Sequence, residues 1–174
     1  NELDEVLISA IHVNQKTPIS ISNLEQKEIK NRNLGQDIPV LMNFMPSVVT
    51  TSDAGNGIGY TGIRVRGTDA TRVNVTLNGI PYNDSESHGT FWVNMPDFAS
   101  SVQSIQLQRG VGTSTNGAGA FGASLNLLTD SFSKISSAEI SNSLGSFNTR
   151  KHTVKFSTGL LNNSFELSGR VSNL

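Results

Sequence analysis

The residues of this chain that chemistry could use are few, and most fail on spacing. Gly117-Ala118-Gly119-Ala120-Phe121-Gly122 has the G-x-G-x-x-G pattern of a phosphate cradle, and Glu139 follows at about the distance of a ribose-binding acid. Such a loop works only where it opens a helix whose N-terminus faces the pyrophosphate. Here it opens Ala123-Ser124-Leu125-Asn126-Leu127, which alternates like a strand, so the glycines are expected to permit tight turns and close backbone approach instead. His12, His88 and His152 are scattered, cysteine is absent, and no His, Asp and Glu set has ligand spacing. No serine stands in G-x-S-x-G or beside a histidine and an acid. The chain is therefore read as no enzyme, with no cofactor and no metal.

What remains is binding chemistry in two loops. Residues 52–60, SDAGNGIGY, are glycine-rich and polar, and residues 82–92, YNDSESHGTFW, hold the only tryptophan with a histidine and two acids. Asp53, Tyr60, Asn83, His88, Phe91 and Trp92 are the candidate substrate contacts, because long polar loops with aromatic side chains can cover a ligand. Phe91 and Trp92 suit equally well a role as anchors tucked beneath the loop.

The elements that would position these loops are legible as alternation. Ile63 and Val65 alternate with Arg64 and Arg66, and Val73, Val75 and Leu77 alternate with Asn74 and Thr76, giving two strands with one apolar face each. Asn78-Gly79 closes the second as a two-residue hairpin turn, where both positions need positive φ. An Arg-Gly pair ends the first strand at Arg66-Gly67, and another, Arg109-Gly110, follows Ile105-Gln106-Leu107-Gln108. Ser22 with Glu25 predicts a capping box that starts a helix stopped by Gly35. A second helix is predicted from Asp37 as N-cap and Pro39 in the first turn, with Ile38, Leu41, Met42 and Met45 on a core face, up to Pro46.

Beyond Ser133 the pattern changes to long alternating segments. Ala138, Ile140 and Leu144 share one face, as do Val154, Phe156 and Leu160, then Phe165, Leu167 and Val171; Glu139, Lys155, Glu166 and Arg170 lie opposite. Apolar out and polar in, with a turn at Asn162-Asn163, is the pattern of a transmembrane barrel that continues past Leu174. A soluble antiparallel meander shares the alternation.

Composition narrows the partners. With 13 Lys+Arg against 14 Asp+Glu and no basic run, no nucleic-acid surface is expected. No apolar run approaches the roughly 18 residues a spanning helix needs, which leaves strands as the route through a membrane. The start, Asn1-Glu2-Leu3-Asp4, has no signal-peptide pattern, so an exported protein would begin here as a mature or internal piece.

The order strand-Arg-Gly, NGIPYND, QLQRG and GAGAFGASLNLLT resembles the plug of TonB-dependent outer-membrane receptors over nearly the whole chain. Asn78, Gln106 and Ala123 depart from residues common in that family. The resemblance implies an α+β plug domain, a small mixed sheet with short helices, followed by the first antiparallel strands of a transmembrane β-barrel. The implied boundaries are 1–12 for a TonB-box-like segment, 13–132 for the plug and 133–174 for the start of the barrel. By the same resemblance Asp4, Glu5, Val6, Leu7, Ile8 and Ser9 would bind the periplasmic C-terminal domain of TonB, and Arg66 and Arg109 would latch the plug to barrel glutamates. The implied function is TonB-dependent import of a scarce substrate, foremost a ferric siderophore or iron chelate, across the outer membrane, with the plug inside the barrel and the N-terminal segment in the periplasm. Cobalamin and glycan importers share the plug, and a secreted β-rich adhesion or scaffold module is the rival class.

Overall fold

A computed structural model describes residues 19–111, 119–162 and 164–174. The chain divides into two compact units that part between Thr129 and Asp130, three residues before the boundary expected from sequence.

The first unit is built on a five-stranded mixed sheet in the order β1-β6-β7-β4-β5, formed by β1 (Ser20–Glu25), β6 (Val102–Arg109), β7 (Ala123–Thr129), β4 (Val73–Leu77) and β5 (Ile80–Pro81). A separate hairpin joins β2 (Val48–Ser52) to β3 (Thr61–Val65). All pairings in the large sheet are antiparallel except β4 with β7, which run parallel. Alternation decides the faces. Leu24, Ile105, Leu107, Leu125, Leu127, Val73 and Val75 point into one core, where they meet Ile29, Ile38, Leu41, Met42 and Met45 and the β3 residues Ile63 and Val65. Burying each such aliphatic side chain contributes about 1.5–3 kcal/mol. The other face is an uncharged polar ladder: Asn23, Gln106, Asn126 and Thr76 stand in one cross-strand row, with Gln106, Asn126 and Thr76 buried and Asn23 exposed on the edge strand.

Two short helices close the core. α1 (Gln26–Arg32) begins later than the Ser22 to Glu25 pattern predicts. Residues 20–25 pair with β6 instead, the Ser22 hydroxyl accepts from Arg109, and the Glu28 side chain accepts from the Glu25 N–H as the actual start of the helix. α2 (Ile38–Leu41) starts after Asp37 with Pro39 in its first turn, as expected, but stops after four residues. The chain continues in turns, Met45 donating to the Met42 carbonyl, and keeps Met42 and Met45 buried.

The Asn78-Gly79 turn has φ of 51° and 82°, the left-handed pair a tight hairpin requires. Gly122 leads into a strand, β7, and a Cβ there would lie 2.2 Å from the Thr68 hydroxyl and 3.0 Å from the Arg72 carbonyl. The glycine allows close backbone approach, and its N–H donates to Arg72 O at 2.8 Å.

The second unit is a three-stranded antiparallel sheet of β8 (Ser137–Leu144), β9 (Arg150–Ser157) and β10 (Ser168–Asn173). Its register puts Ile140, Val154 and Val171 in one exposed apolar row, and Glu139, Lys155 and Arg170 in one charged row on the opposite face. Lys155 pairs with Asp130, and the ring of Phe156 covers Gly169. A continuous apolar face left exposed opposite a charged one is what a barrel wall needs toward lipid.

Candidate functional site

The first loop grows from the β2–β3 hairpin. Asp53 N–H donates to the Tyr60 carbonyl at 3.1 Å, Gly57 N–H to the Ser52 hydroxyl at 3.0 Å, and Ile58 N–H to the Asn56 side chain at 3.0 Å. Glycines at 55, 57 and 59, all with positive φ, let the chain fold through this tight path. The loop ends on Asp37, whose Oδ2 accepts from Gly59 N–H at 3.0 Å and from the Thr61 hydroxyl at 2.8 Å. Burial pushes the Asp37 carboxyl above its usual range, while the bonds from Thr61 and Gly59 pull it back down. Asp53 and Tyr60 are exposed, Tyr60 at 67%.

The second loop is held by its own polar side chains. Asp84 accepts from the Ser87 N–H at 2.7 Å, the Ser87 hydroxyl at 2.8 Å and the Glu86 N–H at 3.2 Å, and the Ser87 backbone bond is the foremost cause that holds its carboxyl below the usual range. His88 sits at φ 57° and is exposed, and Phe91 is 47% exposed.

Two of the substrate candidates are engaged within the fold. Trp92 is 3% exposed within the core cluster, so it anchors the loop from beneath. The Asn83 amide is spent on the backbone: its Oδ1 accepts from Val75 N–H at 2.7 Å, and its Nδ2 donates to the Val73 and His88 carbonyls, both at 2.9 Å. It continues the edge pairing of β4 after β5 has ended, a use of an asparagine that sequence alternation cannot reveal. The turn at Trp92–Asn94 packs beside β3, so the two loops share that strand as a base.

Arg66 and Arg109 come together at one corner. Arg109 donates to the Ser20 hydroxyl at 3.0 Å, the Ser22 hydroxyl at 2.6 Å and the Ile21 carbonyl at 3.5 Å, all on β1. Arg66 lies exposed in the left-handed region, φ 52°, with its N–H on the Ser47 carbonyl. Neither arginine has an ion pair with a carboxylate among the described residues. Asp4, Glu5, Val6, Leu7, Ile8 and Ser9 lie outside the described residues. Asp37 belongs to this loop although it lies outside it in sequence. Its place before Pro39 signals a helix cap, and nothing local points to a partner 22 residues on.

The fold is shared with solved outer-membrane receptors. The FpvA structure of Pseudomonas aeruginosa bound to heterologous pyoverdines is 20% identical, with TM-score 0.71, over 91% of this chain and 20% of that one. The ferric yersiniabactin uptake receptor FyuA of Yersinia pestis is 18% identical, with TM-score 0.63, over 88% and 23%. The alcaligin outer-membrane receptor FauA of Bordetella pertussis is 17% identical, with TM-score 0.65, over 91% and 27%. The chain thus spans about a fifth to a quarter of these receptors. No curated protein sequence matches it. The sequence pattern of the TonB-dependent Receptor Plug Domain matches residues 13–124, well over half of the chain. With the mixed sheet, the short helices and the strands that follow, this chain belongs to the TonB-dependent receptor plug-domain family.

Proposed function

We propose that the chain is the plug and the first barrel strands of an outer-membrane receptor that imports a ferric siderophore or similar iron chelate, energised from the periplasm by TonB. The observation that carries this reading is the joining of the plug fold to a sheet with one exposed apolar face and one charged face. The plug closes a barrel whose outer surface lies in lipid. Iron chelates are favoured over cobalamin or glycans because the solved receptors that share this fold include those for pyoverdine, yersiniabactin and alcaligin.

In this reading Asp53, Tyr60, His88 and Phe91, the exposed members of the two loops, meet the substrate. Arg66 and Arg109 meet barrel carboxylates and seat the plug. Residues 4–9 add as an extended strand to TonB, backbone pairing giving affinity and side chains selectivity. Growth of a deletion strain on a panel of ferric chelates tests the function. Failure on one chelate with normal growth on ferrous iron is the expected result; normal growth on every chelate with loss on cobalamin or a glycan overturns the iron reading.

A further inference from the structure

We propose that Asp37 is the positioning residue of the 53–60 loop, its buried carboxylate fixing the loop's return limb so that Asp53 and Tyr60 are presented in one conformation. The substrate part of this inference rests on the reading that the loop meets substrate; the hold on the loop does not.

Three contacts fall on alternate residues of that limb. The Asp37 N–H donates to Gly57 O at 2.9 Å, and Oδ2 takes the Gly59 N–H and the Thr61 hydroxyl. The limb is docked closely, since a Cβ on Gly57 would lie 3.1 Å from Val40 Cγ2 and 3.3 Å from Gln36 Cγ. Asp37 is itself fixed from behind, because Ile38, Pro39 and Leu41 of α2 are buried. Asp37 is 3% exposed, and its Oδ1 is buried with no hydrogen-bond partner. A buried acceptor left partnerless costs free energy, so a carboxylate is a poor choice for fold stability alone. What the charge gains is stronger bonds to the two loop donors.

The hold follows the proton of Asp37 itself. Of the titratable groups on the elements around it, the loop's Asp53 and Tyr60 and the β3 residue Arg64 are exposed, while α2 and residues 33–36 carry none. Burial is the foremost cause of the raised pKa. The carboxylate, and with it the strong hold, is present above that raised value and lost as pH falls through it. The contribution of Asp37 to global stability has the opposite sign: the folded state binds this proton more tightly than the unfolded one, so its penalty shrinks over the same acid window.

Hydrogen exchange of the full receptor in detergent tests this, comparing wild type, Asp37→Asn and Thr61→Val from neutral pH down to about pH 4. At neutral pH the peptide spanning 53–61 should exchange at least about fivefold faster in Asp37→Asn, the effect of weakening one charge-assisted hydrogen bond. The strands of the large sheet should keep wild-type protection. After correction for intrinsic rates, wild type should approach Asp37→Asn on acidification, while that variant shows no further change. Loop exchange equal to wild type in both variants, or faster exchange spread over the whole first unit, would overturn the proposal. Substrate contact fails separately, if alanine at Asp53 and Tyr60 leaves chelate binding unchanged while Asp37→Asn still loosens the loop.

Discussion

The guanidinium of Arg66 stands against the backbone of Gly110, its Nη1 3.0 Å from where a Cβ on that glycine would lie, and its charge adds to burial in pushing the Arg109 pKa down. Two like charges at one corner repel, and a carboxylate brought to that corner is attracted by both. The pair is therefore unequal in what it does. Arg109 is spent in part on β1, whereas the Arg66 backbone donates to the Ser47 carbonyl and its side chain is exposed beside Gly110.

That inequality gives the first prediction. In the full receptor, Arg109→Ala should lower stability by about 1–2 kcal/mol through the lost bonds to β1, in addition to any latch effect it shares with Arg66→Ala. Denaturant melts and protease release of the plug measure both. Unchanged stability and plug retention in both variants would sink the latch.

Trp92 and its exposed neighbours should separate cleanly. Trp92→Ala opens a cavity beneath the second loop and should cost about 3–5 kcal/mol. The triple variant with alanine at Tyr60, His88 and Phe91 should weaken ferric-chelate binding and leave receptor levels in the membrane unchanged. Unaltered affinity in the triple variant would assign both loops a structural role.

The polar ladder makes a third prediction. The Thr76 hydroxyl donates to Asn126 Oδ1 at 2.7 Å in a fully buried setting. Thr76→Val should cost about 1–3 kcal/mol by orphaning that oxygen, and Thr76→Val with Asn126→Leu should cost less than the sum of the single changes. Additive melts would show that the two side chains act independently.

The fourth prediction concerns the coupling segment. Proline at position 7 removes a backbone donor and fixes φ, so Leu7→Pro should abolish uptake while chelate binding persists. Whole-cell binding and uptake assays measure the two; transport at the wild-type rate would place the TonB-binding segment upstream of residue 4.

The sequence by itself determined the properties that are local. Two-residue alternation fixed β3, β4, β7, β8 and the body of β9, since it says which side chains share a face, but Leu160 falls after β9 and Phe165 and Leu167 fall before β10, where the chain turns through the Leu161–Phe165 bridge. Asn78-Gly79 fixed a turn because only certain residues tolerate positive φ. Asp37 and Pro39 fixed the start of α2, but not its length, because Pro46 bounds a helix without saying how many turns precede it. Ser22 shows where local logic stops. A cap and a strand residue look alike in sequence, and the choice fell to β6 and Arg109, more than 80 residues away.

Only the tertiary structure decided the partners. The parallel pairing of β4 with β7 closes over some 45 intervening residues, and no pattern within either strand encodes it. Burial of Trp92, capture of the β4 edge by Asn83 and the bond from Gly59 to Asp37 are of the same kind. Each depends on where the chain returns, and that return is settled by the sum of apolar burial against the entropy of closing long loops. Residue type announced that these side chains could anchor, pair or bind; the fold chose which.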